Sequence, residues 1–211
     1  MILVCYYSTP VVLRTEWNRE RLYGKLIGSE KKGKVDAAVD LIAYGGEKQL
    51  LRALQSDSGL VREVAANALY DMWIKLADPQ AMQLMELADR NLESNNIRTS
   101  LTALNLLTKR FPFFAEGWNR RAFILDHLGL PEFAISDCKK AVLLNPNEFS
   151  AWQGMGRCQM KVGDFEGAQR AFTEALRLVP HDQSTKVFLK RCNDLLNRIR
   201  SRPIHPLGEE V

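Results

Sequence analysis

The chain has 211 residues, of which 46% are hydrophobic and 26% charged, so it can bury a sizeable core and disorder is excluded as its default state. A formal net charge of +4 and a pI near 8.9 make it mildly basic, far below the single-sign surplus of a dedicated nucleic-acid binder. Charge alone therefore selects no class of partner.

Residues 1–34 form an N-terminal segment that opens with an apolar run, Met1 to Tyr7, ending at Ser8-Thr9-Pro10. The run is too short to span a bilayer and has no basic stretch before it. Three interpretations remain open: a packed strand or helix start, a poor signal sequence, and the remnant of a longer precursor. Packing into the fold is the interpretation that we favour.

Residues 35–80 are predicted to form helical hairpins, because apolar side chains recur there at helical spacing. They are Leu50, Leu51 and Leu54, followed by Val61, Val64, Ala65, Ala68 and Leu69. The stretches 51–58 and 61–69 resemble a HEAT or armadillo helix pair. One unit does not establish a repeat class, so an ordinary helical hairpin is the alternative.

The second half of the chain repeats every 34 residues, which is the period of a helix-turn-helix unit. Trp118 and Trp152 are 34 positions apart. The other pairs at this offset are Ala122 and Gly156, Gly129 and Gly163, Ala134 and Ala168, Ala141 and Ala175, and Pro146 and Pro180. The repetition predicts two successive helix pairs of the same construction.

Each recurring residue type meets a packing demand. Tryptophan is a large wedge between the two helices of a pair, whereas alanine or glycine allows close approach of backbones. Glycine at the turn adopts a left-handed conformation at little cost. Proline lacks a backbone donor and ends the second helix.

With these positions in register, residues 115–148 and 149–182 resemble tetratricopeptide repeats. Residues 81–114 resemble a degenerate first repeat, which lacks the tryptophan and has Asn95-Asn96 at the turn. Its matching positions are Ser100, Leu104, Leu107 and Pro112. The proposed repeat domain is therefore 81–182.

Residues 183–200 resemble the solvating helix that caps such arrays, and residues 201–211 form a tail. The apolar positions of the cap are Val187, Leu189, Leu195, Leu196 and Ile199. The resemblance implies an all-α fold: a right-handed helix-turn-helix solenoid with a capping helix and an N-terminal helical extension.

In the resembled family the first helix of each pair lines a concave groove that binds a partner. The resemblance therefore implies an exposed stripe of groove residues, suited to an extended or helical peptide with apolar anchors and an acidic contact for Arg157. The stripe consists of Met82, Met85, Asp89, Glu116, Asn119, Phe123, Ser150, Gln153, Arg157 and Met160. For Phe123 and Met160, a place in the core remains the alternative.

Some members of this family grip the acidic C-terminus of heat-shock chaperones with a clamp of lysines, asparagines and an arginine. In this chain Asn119 lies one position before the place of the clamp asparagine, and Arg120 occupies that place. Ser150 and Gly154 replace the third-repeat lysine and arginine, and the first helix presents Met82, Met85 and Asp89. Chaperone binding is therefore a lesser alternative.

Neither catalysis nor metal binding is expected. His127, His181 and His205 have no second ligand or nucleophile within helical reach. Gly154-Met155-Gly156 lacks the third glycine of a phosphate loop and falls within a helix. We therefore predict no cofactor and no metal.

The four cysteines, Cys5, Cys138, Cys158 and Cys192, form no C-x-x-C pair and are predicted to be reduced core thiols. The stretches 119–122 and 136–141 resemble repeats of chaperone-binding adaptors. Within them, two interpretations of Arg121 and Asp137 stand side by side: a salt bridge at the edge of the core, or an arginine extended over the core beside a solvated aspartate.

The capping region carries a basic patch, in which Asp194 is the one acidic residue. The patch consists of Lys186, Lys190, Arg191, Arg198, Arg200 and Arg202. Such a patch could contact RNA or an anionic surface. Because no aromatic residues alternate with the basic ones, a solvated helix face is favoured.

The sequence therefore predicts a non-enzymatic adaptor that binds another protein or peptide. RNA or anionic-surface association through the basic patch is the alternative, and an enzyme domain within residues 1–80 is a third. No signal peptide, membrane span or transit leader is recognisable, so a cytoplasmic protein is expected. A chloroplast or other organelle is the alternative if the chain derives from a longer precursor.

Overall fold

The structure is a computed structural model that describes the backbone of residues 5–75 and 77–201, and the side chains of 15–74 and 77–201. These residues form eleven α-helices and no strand: α1 Cys5–Gly28, α2 Lys31–Ala43, α3 Glu47–Ala53, α4 Gly59–Lys75, α5 Pro79–Glu93, α6 Ile97–Arg110, α7 Ala115–His127, α8 Pro131–Leu144, α9 Phe149–Lys161, α10 Phe165–Leu178 and α11 Gln183–Arg200. The all-α prediction is confirmed.

The chain divides into two compact units. The first holds the residues up to Met82 together with 178–181, and the second holds 83–177 and the residues from Asp182 onward. The predicted capping helix is α11, at the C-terminal end of the second unit.

In the first unit α1, α2, α3 and α4 pack around leucines that are almost inaccessible to solvent, among them Leu26, Leu41, Leu50 and Leu69. The ammonium group of Lys34 donates to the carbonyls of Leu26 (3.1 Å) and Ile27 (2.8 Å), which otherwise have no partner at the end of α1. Helices α3 and α4 contact each other, at the place of the predicted hairpin. Its assignment to the HEAT or armadillo class stays a prediction.

In the second unit the helices pack in chain order from α6 to α9. One buried cluster joins α7, α8, α9 and α10 and consists of Ala122, Ala134, Cys138, Met155, Cys158 and Ala171. A second joins α10 to α11 and consists of Ala168, Phe172, Cys192 and Leu196. Small side chains dominate the first cluster, so the helices that it joins approach closely.

Three turns between paired helices have the same conformation at intervals of 34 residues. Asn95, Gly129 and Gly163 have φ angles of 59°, 74° and 82°. In each turn the following backbone N–H donates five residues back, for example from Asn96 to the Asn91 carbonyl at 2.7 Å, as expected for a helix C-terminus of this type. Asn95 thus takes the place of glycine, and the degenerate first repeat has the turn that its register predicts.

The two tryptophans of the repeats have matching environments. The indole of Trp118 donates to the Pro112 carbonyl at 3.0 Å, and that of Trp152 donates to the Pro146 carbonyl at 2.9 Å. Each ring therefore reaches back to the proline that ends the preceding helix pair, which is what a 34-residue structural repeat requires.

The glycine pair in α9 is a packing feature. A Cβ added at Gly156 would lie 2.6 Å from the buried Phe172 ring, so the missing side chain lets α10 approach α9. Cys138, Cys158 and Cys192 are buried and reduced, which confirms that prediction for three of the four thiols. Burial raises the pKa of each of these three. The side chain of Cys5 is outside the described residues.

Candidate partner-binding face

The first helices of successive pairs, α5, α7, α9 and α11, are linked side by side by polar contacts. A 3.5 Å ion pair between Asp89 and Arg120 joins α5 to α7. The Asn119 amide donates to the Ser150 hydroxyl at 2.9 Å, joining α7 to α9, and Gln153 donates to Asp182, the N-cap of α11, also at 2.9 Å. We call the surface that these helices share the first-helix face.

Phe123 is the exposed aromatic residue at the middle of this face. Its side chain is 41% exposed, so it is not part of the core, and its ring packs against that of His127 with centroids 4.3 Å apart. By the 34-residue register Phe123 occupies the same helix position as Asp89 in α5 and Arg157 in α9. The face therefore has an apolar side chain between an acidic and a basic position.

Other predicted groove residues have different surroundings. Met160 packs against the cluster of α10 and α11, so it belongs to the core side of α9. Met85 is 3% exposed and Glu116 is 5% exposed. The prediction that these two residues contribute exposed surface is wrong, because Met85 turns into the core and Glu116 is covered by its polar partners. Met82 belongs to the first unit and is not assigned to the face.

Two buried carboxylates lie at the start of α7 and α9. Glu116 accepts from Arg120 Nε (2.7 Å) and Asn119 (3.0 Å), and Glu148 accepts from the Ser150 hydroxyl at 2.6 Å. Burial raises the pKa of both groups, and the charge of Glu116 raises that of Glu148 further. Both groups therefore hold a proton to a higher pH than a free carboxyl does, and Arg120 is already engaged with the carboxylates of Glu116 and Asp89.

The opposite end of the face has a different charge pattern. Asp126 in α7 accepts from Lys161 in α9 at 2.5 Å. Burial acts to raise the pKa of Asp126, but hydrogen bonds from Lys161 and Cys158 and the charges of Lys161 and Arg157 together lower it. Arg157 makes no ion pair within the described part of the chain. Its guanidinium, half-buried near Asp126, is the uncommitted cation next to Phe123.

The predicted basic patch is not one surface. Its described members, Lys186, Lys190, Arg191, Arg198 and Arg200, are all exposed on α11. At about 100° per residue, Arg191 and Arg198 project from a different side of the helix from the other three. Arg200 also lies 3.9 Å from Glu166. Arg202 is outside the described residues.

Sequence reasoning missed Arg120, Glu148 and the Asp126–Lys161 pair. The signal for Glu148 was present, because it stands 34 residues before the N-cap Asp182 and just ahead of a first helix. The pairing of Arg120 with both Glu116 and Asp89 could not be read from the register, since it depends on side-chain direction across two helices.

Among the described residues, no group of three or more histidine, cysteine or acidic side chains is placed to hold a metal ion. His127 is exposed and contacts Phe123, and His205 is outside the described residues. No helix in the same part of the chain combines the length and the apolar character needed to cross a bilayer.

Known proteins share both the sequence pattern and the fold. The tetratricopeptide-repeat family profile matches residues 149–182. Over 98 residues the chain is 33% identical to the Protein SGT1 homolog of Bos taurus, covering 45% of this chain and 29% of that protein. Over 121 residues it is 26% identical to a TPR repeat-containing protein of Rhizobium etli, covering 57% and 59% respectively. In both cases the match spans less than two thirds of the relative.

Solved tetratricopeptide domains have the same fold. The first TPR of Spaghetti (RPAP3), bound to the HSP90 peptide SRMEEVD, has a TM-score of 0.56 at 21% identity, covering 57% of this chain and 97% of that one. The Sgt2 TPR domain of Aspergillus fumigatus has a TM-score of 0.55 at 16% identity, covering 64% and 92%. At these identities the likeness concerns the fold.

Proposed function

We propose that this chain, whose residues 149–182 match the tetratricopeptide-repeat family profile, is a non-enzymatic adaptor that binds a segment of a partner protein on its first-helix face. Repeats of this fold serve chiefly as protein-interaction modules, and function must be argued from the site itself. The observation that carries the proposal is the exposed Phe123 ring of α7, together with Arg157 at the equivalent position of α9, which makes no ion pair among the described residues.

The chemistry of the face indicates the kind of segment. An apolar side chain of the partner would cover Phe123, and a carboxylate would pair with Arg157, in the manner of peptides bound along helical grooves. Aromatic and arginine side chains are the residues that most often dominate binding energy at such interfaces. Asn119, Ser150 and Gln153 would contribute polar contacts beside these two.

Photo-crosslinking tests this proposal. The photoreactive residue p-benzoylphenylalanine replaces Phe123 in one variant and Phe133 in the other. Phe133, on the second helix α8, is 63% exposed and is a matched control away from the face. A partner crosslinked in cells through position 123 but not 133, and bound less by Arg157→Ala, is the expected result. Equal crosslinking from both positions rejects the first-helix face as the binding surface.

A chaperone-binding role is the second candidate, favoured by the likeness of the fold to the first TPR of Spaghetti (RPAP3), which is bound to an HSP90 peptide. The residues of this chain argue against it. The start of the face carries the buried carboxylates Glu116 and Glu148, and Arg120 is committed to Glu116 and Asp89. Arg120 is therefore not available to pair with the carboxylates of an acidic C-terminal peptide.

A further inference from the structure

A cleft of about 900 Å³ opens on another surface of the second unit, between the second helices α8 and α10. Its deepest residues, Met155 and Gln159 of α9, are each 6% exposed, whereas the residues that α8 and α10 contribute to its rim are largely exposed. Helix α11 lines one end with Leu189 and Asn193. The residues of the first-helix face proposed above do not line this cleft.

The walls of the cleft are mainly apolar. Val142 and Leu143 of α8 face Trp152 and Met155 of α9 across the cleft, and Leu143 is 73% exposed. On α10 the lining includes the small residue Ala171, which adds depth because a larger side chain would fill the space. An exposed leucine at the edge of a concave apolar surface is typical of an interaction site.

A polar atom at the floor lacks a partner. The Gln159 amide nitrogen donates to the Asp164 carboxylate at 3.0 Å. This contact sets the orientation of the amide, since a flipped amide would place the Gln159 oxygen against a carboxylate oxygen of Asp164. The Gln159 Oε1 atom then accepts no hydrogen bond from any described residue. Because this atom is buried from solvent, Gln159 closes the floor of the cleft, and its Oε1 atom does not offer a hydrogen bond to an occupant.

The uncommitted charge at the rim is positive. Lys139 of α8 and Arg170 of α10 are exposed and line the cleft, and neither makes an ion pair within the part of the chain that the structure describes. Of the two acidic lining residues, Glu174 pairs with the cation of Arg177 at 2.8 Å, whereas Asp164 has the neutral donors Gln159 and a backbone N–H of α10. The two cations Lys139 and Arg170 therefore outnumber the one acidic side chain without a cationic partner. A complementary occupant is therefore acidic.

We propose that this cleft is a second protein-binding site, which takes a peptide segment combining apolar side chains with an acidic one. The apolar side chains pack between Leu143 and Met155, and the carboxylate pairs with Lys139 and Arg170. A cleft of this volume holds a few side chains, and an open channel between two helices suits a peptide. The site is independent of the first-helix face.

The test uses the purified full chain and a displayed library of random 12-residue peptides. Peptides enriched on the wild-type protein are synthesised with a fluorescein label and measured by fluorescence polarisation. We expect sequences with apolar residues and Asp or Glu. The double variant Lys139→Glu with Arg170→Glu should weaken their binding about tenfold or more. Circular dichroism verifies that each variant is folded.

Two controls separate this site from other surfaces. Lys190→Glu reverses an exposed charge that does not line the cleft, and Phe123→Ala alters the first-helix face; neither should change the affinity of the selected peptides. The proposal is overturned if no peptide is enriched, or if binding depends on Phe123 but not on Lys139 and Arg170. It is also overturned if the wild type proves to be a dimer that the double variant dissociates, because the cleft would then be an interface between two copies of the chain.

Discussion

Arg121 and Asp137 form a two-point ion pair between α7 and α8, with Nε to Oδ2 at 2.7 Å and Nη2 to Oδ1 at 2.8 Å. Asp137 is 4% exposed. The same guanidinium donates to the Thr108 hydroxyl of α6 at 2.8 Å and lies 4.8 Å from the centre of the Trp118 ring. Of the two interpretations open at the sequence level, the salt bridge is confirmed, and it ties three helices together.

Removing one partner of this pair should be strongly destabilising. We expect Asp137→Asn to lower the free energy of unfolding by about 3 kcal/mol, because it leaves the Arg121 charge without its buried counter-ion. Urea unfolding followed by circular dichroism measures the change. The exposed pair of Glu174 and Arg177 is the control, and Glu174→Gln should cost less than about 0.5 kcal/mol. Equal effects of the two substitutions would contradict the assignment.

The two glycines of α9 should respond in opposite directions to alanine. Gly156→Ala places a Cβ 2.6 Å from the Phe172 ring, and the resulting overpacking should cost about 1–3 kcal/mol. At Gly154 the nearest atom is the Cys138 sulfur at 3.6 Å, so Gly154→Ala should stabilise the helix by about 0.5–1 kcal/mol. Thermal and urea unfolding of both variants measure the two changes in stability. A stabilising Gly156→Ala would refute the close approach of α9 and α10.

Asn95 is expected to behave as a turn glycine does. Because its φ is 59°, Asn95→Ala should cost about 1 kcal/mol, whereas Asn95→Gly should be neutral or stabilising. The comparison uses the same unfolding measurement. If alanine and glycine gave equal stabilities, the left-handed turn at the end of α5 would not exist in solution.

Glu148 predicts a pH dependence of stability. Burial, followed by the nearby charge of Glu116, raises the pKa of Glu148 from 4.5 to about 7. The folded protein therefore holds this proton more tightly than the unfolded chain does. The stabilising contribution is complete below the unfolded pKa and is lost as the pH rises through the folded pKa.

Glu148→Gln removes this titration. We expect the variant to match the wild type most closely near pH 4.5 and to become relatively more stable as the pH rises, by up to about 3 kcal/mol at pH 8. Urea unfolding from pH 4.5 to 8 measures the difference. Glu86→Gln, on the exposed side of α5, is the control and should show no such trend. A constant difference between Glu148→Gln and the wild type would show that Glu148 is not proton-linked to folding.

The peptide SRMEEVD should not bind this chain. Because Arg120 is already paired with Glu116 and Asp89, it is not available to an acidic C-terminus at the start of the first-helix face. Fluorescence polarisation of the labelled peptide should show no saturable change, with the first TPR of RPAP3 as a positive control. Saturable binding that Arg157→Ala abolishes would restore the chaperone-binding alternative.

Some features could be predicted because they repeat. The recurrence of Trp118 at Trp152 and of Gly129 at Gly163 predicted the helix pairs and their turns, and the structure has matching indole contacts and left-handed turns at those positions. The position of Asn95 followed from the same register. The candidate face was predicted in outline, but Met85 and Glu116 proved to be buried.

The sequence by itself determined the repeat architecture of the second half, because side-chain size at fixed spacing decides which residues can pack between helices, and this information is local. Only the tertiary structure decided which charged side chains have an ion-pair partner. Arg120 and Arg157 are equally basic in the sequence, yet one is held by Glu116 and Asp89 while the other makes no ion pair among the described residues. Pairing depends on distances between helices that are far apart in the chain, which no periodicity records.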